Sequence, residues 1–208
     1  MASYTFFTNP MSRGQIARWA LHEVGADYDQ VLVDWTNKPA DFVHANPMGK
    51  VPTLIHHSAG GDRTLTECAA ICAYLAEVHP DADLRARETE LADYYRWLFF
   101  AAGPVEQAIV GQSMGWEVPK EREGMVGFGS LERVLDTLEA HLASSPFVCG
   151  NRFTMADVYV GSQVDWGLTF GSIPPRAAFV VYAERLQARP AYKAAKAIDH
   201  ALIEESRK

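Results

Sequence analysis

The 208-residue sequence is short of several things, and each shortage excludes a class of protein. It has three cysteines, Cys68, Cys72 and Cys149, an odd number at spacings unlike a disulfide framework. A reducing, cytoplasmic setting is therefore expected. No apolar run approaches the roughly 18 residues that a membrane helix needs, so no membrane partner is expected. The N-terminus, beginning Met1-Ala2-Ser3-Tyr4, lacks a charged leader followed by a long apolar stretch, so no targeting segment is expected. No Lys/Arg cluster exceeds two residues and the net charge is −7, which argues against nucleic acid as a partner. There is no phosphate-binding glycine loop and no Gly-x-Ser-x-Gly elbow. His56 and His57 point to opposite faces of a strand and have no second pair to complete a metal site, so they read as surface residues and no metal is expected.

What is there is an ordinary globular composition, 48% hydrophobic and 22% charged. The first 80 residues alternate strand and helix signals. Tyr4, Phe6 and Phe7 mark a first strand, and Asn9-Pro10-Met11-Ser12 a turn with a ready helix cap. Ile16, Trp19, Ala20 and Val24 recur at helical spacing before Gly25. A second strand is read at 31–33 and a third at 53–56. Ala59-Gly60-Gly61-Asp62 reads as a hairpin turn before a fourth strand at 63–66, with a helix at 67–78. Past His79-Pro80 the strand signals vanish. Helices are read at 88–114, 120–143, 154–170, 179–188 and 191–205, with Pro104 kinking the first and Gly127-Phe128-Gly129 loosening the second. A β-α-β, β-β-α half followed by helices predicts an α/β domain over 1–80, a linker at 81–87 and an all-α domain over 88–208.

Two segments carry the chemistry. The first is Asn46-Pro47-Met48-Gly49-Lys50-Val51-Pro52-Thr53-Leu54. A cis bond at Val51-Pro52 would turn the Val51 backbone outward, ready to pair with an extended peptide as an added strand would. An ordinary trans loop proline is the commoner arrangement. The second is Leu65-Thr66-Glu67-Cys68-Ala69-Ala70-Ile71-Cys72-Ala73-Tyr74-Leu75, where a strand turns directly into a helix. Glu67 and Cys68 stand at the helix N-terminus, whose free N–H groups attract an anion. Glu67 also fits as a plain first-turn dipole partner, and Cys68 and Cys72 as small core residues. Asn151-Arg152-Phe153-Thr154-Met155-Ala156-Asp157 reads as a capping box: Thr154 caps, Asp157 reaches back, and Phe153 with Val158 forms a staple. Its role is structural.

These segments, in this order and along nearly the whole chain, resemble the cytosolic glutathione transferase family, in its bacterial, serine-type, theta-like form. The resemblance implies a thioredoxin-like domain that binds glutathione, an all-helical domain that supplies a second-substrate pocket, and a homodimer. It implies that Val51, next to Pro52, holds the cysteinyl backbone of glutathione. Glu67 would pair with the γ-glutamyl ammonium and Cys68 would sit near its carboxylate, while Lys50 and Lys38 would face the glycyl carboxylate. The family usually has Ser where this chain has Cys68, and a thiol donates more weakly than a hydroxyl. Ser12 stands where the family activates the thiol, with Asn9 and Arg13 as alternatives and a plain helix cap as the structural reading of Ser12. The implied chemistry is attack of glutathione thiolate on a small hydrophobic electrophile, as in detoxification. A glutathione-dependent isomerase, dehalogenase or peroxidase, or a non-catalytic transferase-like module, are the other implications. Of the aromatics Tyr94, Tyr95, Trp97, Phe99 and Phe100, most read as core or dimer contacts, with one or two left to line the second-substrate pocket.

Overall fold

A computed structural model of the chain describes residues 2–207. Contacts divide it into two compact units, one reaching to Asp83 and resuming at Ala188, the other spanning Leu84–Gln187.

The first unit is built on a four-stranded sheet in the order β2-β1-β3-β4. Strand β1, Tyr4–Thr8, sits inside it and is almost wholly buried, as its run of aromatics requires. It pairs in parallel with β2, Tyr28–Leu32, and antiparallel with β3, Thr53–Ser58. Strand β4, Gly61–Leu65, returns beside β3 through the expected hairpin. Helix α1, Gly14–Glu23, crosses between β1 and β2 and buries Ile16, Ala17, Trp19, Ala20 and Leu21. Its first residue must be glycine, because a Cβ there would lie 2.0 Å from Thr8 Oγ1. A short helix follows, α2, Ala40–Ala45, and Phe42 from it joins Phe7 and Val33 in a small core against which Val51 and Ile55 pack. Helix α3 runs Cys68–Val78 and buries Cys68, Ile71, Cys72, Leu75 and Ala76.

Helix α9, Pro190–Ser206, belongs with this first unit, although it reads from sequence as the end of the helical half. Four contacts hold it to α1. Arg18 Nε donates to Asp199 Oδ1 at 2.9 Å, with both side chains fully buried. Arg189 makes two hydrogen bonds to Glu23, at 2.6 and 2.7 Å. Trp19 meets Tyr192 edge to face at 5.1 Å, and Lys196 donates to Gln15.

The second unit is helical. Helix α4, Leu91–Phe100, runs into a single π-helical turn at Ala101–Val105 and on into α5, Glu106–Ser113. Pro104 lies inside that turn, the wider register being the chain's answer to its missing N–H. The helix expected at 120–143 is two elements. A 3₁₀ stretch covers Lys120–Met125, and α6, Leu131–Ser144, starts only after Gly129 at φ 62°. Helix α7, Met155–Phe170, is buried around most of its circumference, and α8, Ala177–Gln187, packs on it. The capping box closes at the start of α7. Asp157 Oδ2 accepts from Thr154 N at 2.8 Å and from the Thr154 hydroxyl at 3.1 Å. Asp157 Oδ1 accepts from Val148 N at 2.8 Å and from the Tyr182 hydroxyl at 2.9 Å. Burial raises the Asp157 carboxyl to about 6, with these donors holding it down against that rise.

Candidate glutathione site

Strand directions bring four chain connections to one edge of the sheet. Strand β1 ends there at Thr8, beside Leu32 of its parallel neighbour. The antiparallel β3 starts there, Thr53 standing opposite Phe7, and β4 ends there, Leu65 opposite Leu54. So the 9–13 loop, the 46–52 turn and the entry to α3 converge although they are far apart in sequence. The Cys68 thiol ties two of them directly, donating to Arg13 O at 3.2 Å.

The 9–13 loop is fixed by its own polar groups. The Asn9 amide donates to Val33 O at 3.0 Å and its oxygen accepts from Met11 N at 2.9 Å. The Ser12 hydroxyl donates to Asn9 O at 2.6 Å and accepts from Gly14 N at 3.0 Å. Ser12 therefore caps the first N–H of α1 while remaining half-exposed. Arg13 is exposed.

The Val51-Pro52 peptide bond is cis. Strand β3 begins only at Thr53, so the Val51 N–H and C=O lie outside its ladder. The turn before them is held by Asn46, a residue to which sequence reasoning assigned no role. Its buried amide donates to Lys50 O at 2.9 Å and Thr53 Oγ1 at 3.0 Å, and its oxygen accepts from Met48 N at 3.1 Å. Lys38 reaches the same turn, Nζ donating to Gly49 O at 3.0 Å, and Lys50 is exposed beside it.

Glu67 takes φ 60° and ψ 111°, a conformation that non-glycine residues seldom adopt, at the N-cap of α3. Its side chain is exposed at the edge, whereas Cys68 next to it is only 7% exposed. The cap makes no side-chain hydrogen bond to the first turn. The Cys68 thiol donates to Arg13 O, and its backbone N–H stands at the first turn of α3.

Other sequence expectations meet the structure unevenly. Tyr4 is buried in the sheet, and burial pushes its phenol up to about 12. The two histidines are not bare surface residues. His56 stacks on Tyr4 at 4.5 Å and hydrogen-bonds the Tyr74 hydroxyl, and His57 bonds Asp62 and Thr5. Cys72 is buried and Cys149 half-buried, and burial raises both thiols, that of Cys149 to about 12. Tyr94 and Trp97 are core, while Tyr95 and Phe99 are exposed. In the helical unit a cavity of about 320 Å³ is lined by Ala102, Glu106, Gln107, Val110, Trp116 and Phe128, and none of the flagged aromatics lines it. Among the described residues no cluster of three or more His, Cys, Asp or Glu side chains is placed to hold a metal. No helix among them is long and apolar enough to cross a membrane.

Residues 2–77 match the family model of the glutathione S-transferase N-terminal domain, and residues 119–166 match that of the C-terminal domain. Glutathione S-transferase 3 of Zea mays is 30% identical, the match covering 93% of each chain. The chain belongs to the glutathione S-transferase family. GstA of Escherichia coli O157:H7 is 29% identical over 88% of this chain and 92% of its own. A sphingomonad glutathione S-transferase, solved in complex with glutathione, is 30% identical with a TM-score of 0.74, over 94% of this chain and 98% of that one. The thioredoxin-like first unit and the helical second unit are the family's fold. The matched N-terminal segment contains every residue of the sheet edge described above.

Proposed function

We propose that this family member binds glutathione at the sheet edge and holds its sulfur as a thiolate for attack on a small hydrophobic electrophile. The observation that carries the reading is the convergence of Ser12, the Val51 backbone and the N-terminus of α3 at one edge, within a chain of this family. Glutathione is a short extended peptide with a carboxylate at each end and one ammonium. The Val51 N–H and C=O pair with its cysteinyl backbone beside Pro52, as an added strand would. Glu67 takes the γ-glutamyl ammonium. The N–H groups at the start of α3, that of Cys68 first, take the adjacent carboxylate. Lys50 and Lys38 face the glycyl carboxylate.

That placement brings the cysteinyl sulfur to the 9–13 loop. A free thiol with a pKa near 8.5 is mostly protonated at neutral pH. Turning its O–H from Asn9 O to the sulfur, Ser12 donates a hydrogen bond to the thiolate and keeps the bond from Gly14 N–H. The second N–H of the Asn9 amide and the Arg13 guanidinium are the competing donors. The thiolate then forms the S–C bond to the electrophile, whose leaving group departs with its electron pair. The helical unit supplies the apolar contacts for that partner. Isomerase, dehalogenase and peroxidase chemistry share the first half of this sequence and differ in the partner. Leu91, Tyr95 and Phe99 are exposed at four-residue intervals along one face of α4, which supports a homodimer.

The test is the ultraviolet absorbance of the bound thiolate, titrated against pH for the wild type and for Asn9→Ala, Ser12→Ala and Arg13→Ala. Ser12→Ala raises the thiolate pKa and leaves glutathione affinity nearly unchanged. A shift confined to Asn9→Ala moves the role there, and no shift in any of the three places the activating group outside the loop.

A further inference from the structure

The loop that bears Asn9 and Ser12 is held through its carbonyl groups. Asn9 O accepts from the Ser12 hydroxyl, Ser12 O from Gln15 N at 3.1 Å, and Arg13 O from Ile16 N at 3.0 Å. The main-chain donors come from the loop or the first turn of α1, and Arg13 O also accepts from the Cys68 thiol at 3.2 Å. Pro10 O accepts from the side-chain amide of Gln15 at 2.5 Å. Gln15 Oε1 in turn accepts from Lys196 Nζ at 2.8 Å, across 181 residues of sequence. Gln15 therefore grips the loop twice, by its backbone N–H and by its side chain, and its free end is fixed by a cation from α9.

The position of that cation is not adventitious. Helix α9 is seated on α1 by the buried Arg18–Asp199 pair, by Arg189 on Glu23 and by Tyr192 against Trp19. Lys196 stands one turn beyond Tyr192, its ammonium 5.4 Å from that ring's centre. An ammonium on the amide oxygen polarises the amide and makes its N–H the stronger donor, so the two bonds reinforce one another. Pro10 is buried and has no N–H of its own, so its carbonyl is the one main-chain polar group by which it is steered.

We infer that Lys196 and Gln15 are positioning residues for thiol activation: the charged chain Lys196–Gln15–Pro10 sets the loop so that its donors point at the sulfur. The inference rests on the reading that the 9–13 loop activates the thiol. It adds that the last helix of the chain takes part in that activation without touching glutathione.

The experiment uses the full-length protein at saturating glutathione. Thiolate absorbance is titrated for Gln15→Met, Lys196→Met, Lys196→Arg and the Gln15→Met/Lys196→Met double variant, with affinity by calorimetry and Tm by scanning calorimetry. Gln15→Met removes both side-chain bonds without changing charge. Each Met variant raises the thiolate pKa by about half a unit, a roughly threefold loss of thiolate below the pKa. The double variant shifts it no further than the larger single one, because the bonds lie in series. Lys196→Arg restores most of the wild-type value, and affinity changes by less than about twofold, since no peptide contact is touched. If Gln15→Met fails to fold, Gln15→Ala takes its place in the comparison with Lys196→Met. An unmoved pKa in both Met variants, with Ser12→Ala still shifting it, overturns this inference and leaves the site standing. A shift in Lys196→Met alone overturns the chain in favour of bare charge. An unmoved pKa in the loop variants as well overturns the site and the inference together.

Discussion

Asn46→Ala tests the 46–52 turn where structure and proposed function meet. Asn46 is 5% exposed and its side chain makes three hydrogen bonds, to Lys50 O, Thr53 Oγ1 and Met48 N. Truncation removes all three. The Lys50 carbonyl keeps the Thr53 hydroxyl as a donor at 3.0 Å, and Met48, 74% exposed, lies where water can reach its N–H. The loss is therefore nearer the net worth of the bonds than the full cost of stranding their partners, about 2 kcal/mol in all. For a chain of this size that lowers Tm by about 4–8 °C. The same turn presents Val51, so its loosening costs glutathione part of the backbone pairing, and Kd rises by roughly three- to tenfold. Scanning calorimetry and glutathione titration read the two effects on one sample. A lower Tm with an unchanged Kd would refute the placement of glutathione on this turn. An unchanged Tm would refute the claim that Asn46 holds it.

Asp157→Ala leaves Val148 N–H, Thr154 N–H and the Tyr182 hydroxyl without their acceptor in a fully buried setting; denaturant unfolding should show a loss of about 3–5 kcal/mol, and a loss under about 1 would contradict the box as a structural anchor. Burial lowers the pKa of His22, His56 and His79, so the folded chain prefers them neutral. Their contribution is whole above about pH 6.5 and is lost as pH falls below it, while Asp157, raised to about 6, pulls the other way over lower pH. Tm therefore falls between about pH 7 and 6 and falls less in His79→Gln, which can still pair with the Tyr4 hydroxyl; an equal slope in the two would remove His79 from the account. Cys68→Ser keeps the backbone N–H and offers Arg13 O a stronger donor, so glutathione affinity is kept or improved; a loss beyond about tenfold would assign the thiol a role of its own.

The sheet and its site were legible where the signal is local. The aromatics of β1, the helical spacing of Ile16, Trp19 and Ala20, and the Val51-Pro52 and Glu67-Cys68 segments are patterns within a dozen residues. Strand β2 was harder: it begins at Tyr28, but the exposed polar pair Asp29 and Gln30 breaks its apolar run, so only its end is read. The stretch from 120 was read as one helix because its periodicity resumes past Gly129, whose positive φ ends the continuity. The site's supports were not legible at all. Asn46 looks like any loop asparagine until its turn closes around it. Arg18 with Asp199, and Gln15 with Lys196, are each paired across 181 residues, a distance at which no periodicity reports.

The central claim is that glutathione binds at this sheet edge with its γ-glutamyl ammonium on Glu67. Calorimetric titration of glutathione into the wild type and Glu67→Ala tests it most directly. The pair forms at an exposed rim, so its loss weakens binding by about 1–2 kcal/mol, roughly five- to thirtyfold in Kd, at unchanged Tm. Equal affinity in the two proteins would contradict the account.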